Sequence, residues 1–183
     1  MNDIVPGRLL VATPVLLDPN FFRAVILILE HGEDGALGVT LNRGLDVSPD
    51  EYLPTWTEVI SAPNMIFSGG PVQREMAVGL AWRPGVPEEE SWRPVLGGVG
   101  LIDLSSEPET IRGVEGLRVF SGYAGWGPDQ LEDELATGSW FVLDATPADA
   151  FTQEPDQLWH DVLRRQPNRL ALFADYPPNP SLN

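Results

Sequence analysis

Residues 120–132 read FSGYAGWGPDQLE, and the interpretation of the rest of the chain depends on this stretch. A β-type run from Leu117 to Phe120 precedes three glycines that alternate with large aromatic residues, and Pro128 suits the first position of a helix. Glycine permits positive φ and close backbone approach, and proline at the first helical position loses no hydrogen bond. The pattern therefore predicts a strand-to-helix corner, followed by a helix from Pro128 to about Thr137.

Two interpretations of this corner are open from the sequence. A helix N-terminus after a glycine turn presents free N–H groups to an anion, but Pro128 lacks that donor and Asp129 places a carboxylate there. Alternatively, Tyr123 and Trp126 pack into the core and hold the corner in place. If the corner is a binding site, together with a second glycine pair, the candidate residues are Gly69, Gly70, Gly122, Tyr123, Gly125, Trp126 and Gln130.

The length and composition of the chain indicate one domain with one sizeable core. The chain has 183 residues, of which 43% are hydrophobic, and this is short for two separate cores. We expect the domain to span residues 1–176. The tail at 177–183 contains three prolines and is expected to be flexible.

The charge of the chain restricts its partners. It carries 27 acidic and 11 basic residues, for a net charge of −16, and every basic residue is arginine. Binding to DNA or to anionic membranes relies on neutralising phosphates, so this charge disfavours both. Without lysine or cysteine, Schiff-base and thiolate catalysis are excluded. The sequence favours a small molecule or a protein as the partner.

Metal and cofactor motifs do not emerge from the sequence. His31 and His160 lack paired ligand spacing, and the acidic runs Glu88–Glu90 and Glu132–Glu134 are typical of solvated faces. The glycines at 97–100 do not have the spacing of a dinucleotide-binding fingerprint. We therefore predict no metal and no cofactor.

The remaining pattern predicts an α+β fold. Strands and helices are mixed without regular alternation, and a hairpin is expected where the apolar run 24–29 turns at 32–35 and returns. The N-terminus lacks a signal-peptide pattern and no apolar run could cross a bilayer, so a cytoplasmic location is expected. Further predicted elements are strands at 8–12, 65–68, 75–82, 95–104, 139–144 and 169–173, and helices at 48–60, 107–112 and 155–165.

One catalytic hypothesis arises from polar residues in the first apolar block. His31 with Asp18 and Arg23 could form a hydrolase-like centre, with Ser68 or Ser121 as the nucleophile. Neither serine lies in a Gly-x-Ser-x-Gly motif. The simpler interpretation is that His31 and Asp18 cap their own turns.

Three blocks of the sequence resemble the YqgE/AlgH family of small bacterial proteins. They are GRLLVATP at 7–14 with its continuation to Arg43, GGPV at 69–72, and GYAGW at 122–126 with QLE at 130–132. The resemblance implies a bent or bifurcated mixed sheet with a small barrel-like part, surrounded by helices. Asp129 departs from the family pattern, in which glycine is common.

The same resemblance bears on function. Most members of this family have no established biochemical activity, and one branch has been described as regulating transcription of exopolysaccharide genes. The family pattern contains no recognised DNA-binding motif. The resemblance and the charge together favour a non-enzymatic ligand-binding or partner-binding regulatory protein, with a hydrolase-like enzyme as the alternative.

Overall fold

The computed structural model describes residues 4–85, 92–167 and 169–178. The acidic run at Glu88–Glu90 and residues 179–183 of the expected tail lie outside these ranges. The strands are β1 (Arg8–Ala12), β2 (Val25–Gly32), β3 (Gly35–Thr40), β4 (Phe67–Ser68), β5 (Val72–Trp82), β6 (Arg93–Leu96), β7 (Val99–Ile102), β8 (Gly116–Trp126) and β9 (Trp140–Asp144). The α-helices are α1 (Gln130–Ala136), α2 (Pro147–Ala150) and α3 (Leu158–Arg164), and 3-10 helices lie at Pro49–Glu51, Thr57–Val59, Pro108–Thr110, Pro155–Gln157 and Arg169–Asp175.

Strand β8 connects the two parts of the sheet. The strand order across the described residues is β6-β7-β5-β8-β3-β2-β1-β9, and β4 adds a parallel partner to β8. The first half of β8 pairs with β5, and its last three residues pair with β3. The sheet therefore bends and divides within β8 and curls into a half-barrel. This confirms the α+β class and the bent, bifurcated mixed sheet.

The predicted corner at Phe120 is wrong, because β8 continues to Trp126. Ala124, Gly125 and Trp126 pair in register with Gly38, Leu37 and Ala36 of β3, and helix α1 begins only at Gln130. Gly122 has a φ of 70° and lies opposite an irregularity in β5. The glycines therefore allow strands to approach one another closely, and they do not end the strand.

Three other elements differ from the sequence prediction. The helix expected at 48–60 is two short 3-10 helices, and Pro54 between them cannot continue an α-helix. The strand expected at 95–104 is the β6–β7 hairpin, which turns at Gly97 and Gly98 with φ of 44° and 86°.

The last predicted strand, at 169–173, is a 3-10 helix instead. Leu170 and Phe173 lie three residues apart, so this helix packs both of them against the core cluster beside α3.

The core lies on both sides of β1 and β2. Leu9, Val11, Val25 and Leu27 face a cluster that includes Trp159 and Leu163 of α3. The alternate residues, such as Leu10 and Ile26, face a second cluster with Trp126, Leu131 and Trp140. This confirms that β2 is covered on both faces, as its continuous apolar run predicts. Within the described residues, no helix has the length and apolar character needed to cross a membrane.

Candidate functional site

A depression of about 460 Å³ opens near the point where β4 pairs with the middle of β8. We call it the arginine pocket. It is lined by Pro19, Asn20, Thr40, Arg43, Gly44, Leu45, Ser68, Gly70, Pro71, Arg74 and Ser121.

Two consecutive glycines, Gly69 and Gly70, let the segment beside the arginine pocket lie close to β8. Gly69 donates its N–H to the Ser121 carbonyl at 2.9 Å, and its own carbonyl accepts from Thr40 N–H at 2.8 Å. A Cβ atom at Gly69 would lie 2.1 Å from the Gly122 carbonyl oxygen, and one at Gly70 would lie 2.2 Å from the backbone of Tyr123. Only glycine allows this segment to lie so close to β8. The structure therefore brings three candidates, Gly69, Gly70 and Gly122, together at one place.

A bulge in β5 positions Arg74 at the rim of the pocket. Val72 pairs with Tyr123 and Ala77 pairs with Ser121, so residues 73–76 lie opposite Gly122 alone. Gln73 has a φ of 45° within this bulge, and the Arg74 carbonyl accepts a hydrogen bond from Ser121 Oγ. Such bulges redirect side chains away from the regular pleat of a sheet.

The two arginines of the pocket differ in their contacts. Arg43 is half-buried and donates to the carbonyl oxygens of Pro19, at 3.3 Å, and Phe22, at 2.7 Å. Desolvation by burial lowers the pKa of Arg43. Arg74 is exposed, and its guanidinium makes no hydrogen bond or ion pair with any residue that the structure describes.

The lining of the arginine pocket is positively charged in a chain that is otherwise strongly acidic. Among its described lining residues there are two arginines and no aspartate or glutamate, although acidic residues outnumber basic ones 27 to 11 in the whole chain. Clefts lined by charges of one sign concentrate ions of the opposite sign. This site can therefore accept an anion.

A second depression, of about 390 Å³, adjoins the arginine pocket, and we call it the apolar depression. The two share Leu45, Arg74 and Ser121. The other residues lining the apolar depression are Val47, Tyr52, Leu53, Ile66, Glu75, Met76, Ala77, Val119 and Phe120. Most of this second lining is apolar, and Glu75 is its one acidic residue within the described chain.

The aromatic candidates of β8 lie elsewhere. Trp126 is 5% exposed and packs against Phe21 and Trp140. Its indole N–H donates to Glu134 Oε2 at 3.0 Å, and Trp140 donates to the same oxygen at 2.8 Å. These contacts are those of a packed core residue, and Glu134 has a structural role that sequence reasoning missed.

Two further candidates are also engaged by their neighbours. Gln130 accepts from Gly127 N–H at 3.0 Å and donates to Glu134 Oε1 at 3.0 Å. Tyr123 is half-buried and borders a separate depression beside Leu29 and Leu37, and its ring lies close to Gly125.

The structure does not bring His31, Asp18 and Arg23 together. Arg23 precedes β2 and His31 lies near its far end, which separates them by about 25 Å at the usual rise of a strand. His31 Nε2 lies 2.7 Å from Glu132 Oε1, whereas Asp18 accepts from Asn20 N–H at 2.8 Å. Arg23 donates to the Tyr176 carbonyl and lies 4.6 Å above the Trp159 ring.

The serines proposed as nucleophiles have no histidine in their pocket. Ser68 and Ser121 both line the arginine pocket, whose described lining contains neither His31 nor His160. His160 lies on α3, where Nδ1 is 2.6 Å from the Ala174 carbonyl oxygen. In the described part of the chain, no three histidine, aspartate or glutamate side chains are grouped so that they could hold a metal ion.

Sequence reasoning missed Arg74 and used Arg43 only as part of a family motif. The predicted strand began at Glu75, whereas β5 begins at Val72, so the prediction left Arg74 outside the strand and missed the bulge. The one available signal was the triplet at 73–75, because three polar residues in succession do not fit the alternation of a strand with one buried face.

Comparisons with known proteins identify the family. The AlgH-like family model matches residues 9–171. A UPF0301 protein of Streptomyces avermitilis is 50% identical over 182 residues, covering 97% of this chain and 94% of that protein. A UPF0301 protein of Corynebacterium efficiens is 40% identical and covers 100% of this chain and 92% of its own length.

Solved structures agree with this assignment. A crystal structure of a Corynebacterium diphtheriae protein is similar to this chain with a TM-score of 0.90 and 34% identity, over 95% of this chain and 93% of that one. The solution structure of the AlgH protein from Pseudomonas aeruginosa has a TM-score of 0.66 and 28% identity, and 93% of each chain is covered. Since the family model and these relatives span most of its length, the chain belongs to the AlgH-like family, also named UPF0301.

Proposed function

We propose that this chain is a non-enzymatic, cytoplasmic ligand-binding protein with a regulatory role, and that the arginine pocket binds the anionic group of its ligand. The observation that supports this most directly is the guanidinium of Arg74, which pairs with no residue that the structure describes, beside a pocket whose described lining has no acidic residue. In a chain of net charge −16, an arginine without a carboxylate partner is available to an external anion.

The surroundings of Arg74 favour binding in other ways. Arg43 is held by two backbone carbonyls, so little side-chain entropy is lost when its guanidinium meets a ligand. Hydroxyl groups of Thr40 and Ser68 also line the pocket and can donate hydrogen bonds. An anion bound here would interact with two guanidinium groups and neutral donors, and the described lining of the pocket contains no carboxylate to repel it.

The charge of the whole molecule argues for a small ligand over a nucleic acid. A polyanion would contact much of a surface that carries the net charge of −16, whereas a small anion contacts only the arginine pocket. The described lining of this pocket places no histidine beside its serines, which favours ligand binding with a regulatory role over catalysis. Ligand occupancy would be its output signal.

The test is a titration of the full chain at low ionic strength, once with sodium acetate and once with inorganic phosphate. Binding is monitored through amide shifts in ¹H–¹⁵N NMR spectra. We expect saturable shifts of the Ser68, Gly70 and Ser121 amides. Arg74→Gln should weaken binding by about tenfold or more, since hydrogen bonds to charged groups contribute about 1.5–3 kcal/mol.

Arg112→Gln is the matched control. Arg112 is also exposed and makes no hydrogen bond or ion pair with a described residue, but it lies outside the arginine pocket. This variant removes the same charge and should retain the wild-type affinity. Equal weakening by both variants, or no shift with either anion, would contradict the proposal.

A further inference from the structure

The arginine pocket and the apolar depression form one continuous surface. The linings of both share Leu45, Arg74 and Ser121. Arg74 therefore lies at the boundary between the arginine pocket and the apolar depression. Their volumes, about 460 and 390 Å³, each lie near the lower end of the range of roughly 300–1,000 Å³ for small-molecule pockets. A ligand that fills both must be charged at one end and apolar at the other.

We propose that the ligand is an amphipathic anion with a single charged head, a carboxylate or phosphate between Arg43 and Arg74, and an uncharged apolar chain or ring in the apolar depression. This inference rests on the proposed function, and it specifies the chemical class of the ligand.

The apolar depression carries exposed hydrophobic side chains that a ligand would cover. Tyr52 is 65% exposed and Met76 is 49% exposed, and both lie beside the buried Phe120 and Val119. Removing such surface from water is favourable, at about fourfold in affinity for each methylene group that becomes fully buried. Met76 also has the flexible side chain that adapts to ligands of different shape.

Glu75 determines the charge that the apolar part can carry. It lines the apolar depression and is absent from the lining of the arginine pocket. A second anionic group on the tail would lie close to this carboxylate and be repelled by it. The site should therefore prefer anions with one charged head and an apolar tail over dicarboxylates of the same length.

The test uses the full chain and a series of sodium carboxylates from acetate through butyrate and hexanoate to octanoate, with octyl phosphate and octanol as further probes. Affinity is measured by isothermal titration calorimetry, and the site is located by ¹H–¹⁵N NMR. We expect affinity to rise along the series, and octanoate to shift amides of both Gly70 and Val47. At least one of octanoate and octyl phosphate should bind at least tenfold more tightly than octanol.

Variants separate the two ends of the site. Arg74→Gln should weaken octanoate binding at least tenfold, whereas Arg112→Gln should not. Met76→Gln changes an exposed side chain, so the fold should be kept, and it should weaken octanoate but leave acetate unchanged. Glu75→Gln should increase the affinity for suberate, the eight-carbon dicarboxylate, more than the affinity for octanoate.

Two results would overturn this inference without affecting the proposed function. In the first, acetate binds near Gly70 as tightly as octanoate does. In the second, octanoate produces no NMR shift of the Val47 amide. If octanol binds as tightly as octanoate and octyl phosphate, the charged head of the ligand contributes nothing to affinity, and the inference is overturned. If no anion shifts the Gly70 amide at all, the proposed function fails as well.

Discussion

Two arginine side chains show how the same residue type serves opposite purposes in this chain. Arg118 is 1% exposed and donates to the carbonyls of Ala62, Ala150 and Thr152, and burial lowers its pKa to about 10. Arg74 is exposed and donates to no described residue. Through its two terminal nitrogens, Arg118 ties β8 to helix α2 and to neighbouring loops. The guanidinium of Arg74, which bonds to no described residue, is available to a ligand.

His31 and Glu132 form the contact at which a pH effect is expected. The hydrogen bond from His31 lowers the pKa of Glu132, so this carboxyl loses its proton more readily in the folded chain. The contribution to stability is present above the unfolded pKa of about 4.5 and is lost as the pH falls through the lower folded value. We expect His31→Ala to raise the pKa of Glu132, measured by ¹³C NMR of its carboxyl group.

The control for this prediction is Asp103, whose pKa is lowered by hydrogen bonds from Ser105, so His31→Ala should leave that lowered pKa unchanged. An unchanged Glu132 curve in the variant would show that the contact does not persist in solution. The change in unfolding free energy should be small, because the Glu132 side chain is 47% exposed and the interaction is screened.

At the scale of elements, the close approach of the Gly69–Gly70 segment to β8 determines the site. The parallel pairing of β4 with β8 and the bulge of β5 both occur next to Gly122. Glu134 holds α1 against the sheet. Its carboxylate accepts hydrogen bonds from the indole N–H groups of Trp126 in β8 and Trp140 in β9. Strand contacts thus position the pocket, while α1 packs through Leu131 against the cluster that contains Trp126 and Trp140.

Gly70→Ala tests the importance of this approach. The new Cβ would lie 2.2 Å from the Tyr123 backbone, and backbone atoms of a paired strand cannot move aside cheaply. We expect a loss of at least about 3 kcal/mol in the free energy of unfolding, measured by urea denaturation.

Gly32→Ala is the matched control, because Gly32 ends β2 and its added Cβ would meet no atom within 4 Å. This variant should change the free energy of unfolding by less than about 1 kcal/mol. If both variants lose the same amount, the close packing at Gly70 is not what stabilises this part of the fold.

At the scale of the whole molecule, the net charge of −16 opposes both folding and anion binding. Like charges brought together in the compact state repel one another, and salt reduces this repulsion. Salt also screens the attraction between the arginine pocket and an anion. The two effects have opposite signs, so salt can separate stability from binding.

We expect the Tm to rise by about 2–5 °C between about 20 and 300 mM sodium chloride, from screening on the order of 1 kcal/mol. Over the same range, the affinity for acetate should fall. Arg74→Gln should show the same rise in Tm, which would exclude chloride binding in the arginine pocket as its cause. A Tm that falls with salt would mean that attractive ion pairs outweigh the repulsion.

Much of the fold could be predicted from local pattern. The limits of β1 match the prediction, and the β2–β3 hairpin forms as expected, because apolar runs and a glycine turn act over a few residues. Besides the corner at Phe120, the elements predicted wrongly are those at 48–60, 95–104 and 169–173. Pro54 and the glycines at 97–98 were visible signals, but the packing of Leu170 and Phe173 was not.

The sequence by itself determined the family, the α+β class and the acidity of the chain, because these depend on motif order, composition and local pattern. Only the tertiary structure decided that Arg43 and Arg74, 31 positions apart in the sequence, meet at one pocket without a carboxylate. That meeting requires the pairing of distant strands and a bulge opposite Gly122. Neither leaves a periodic signal in the chain, because long-range register is fixed by packing and not by local propensity.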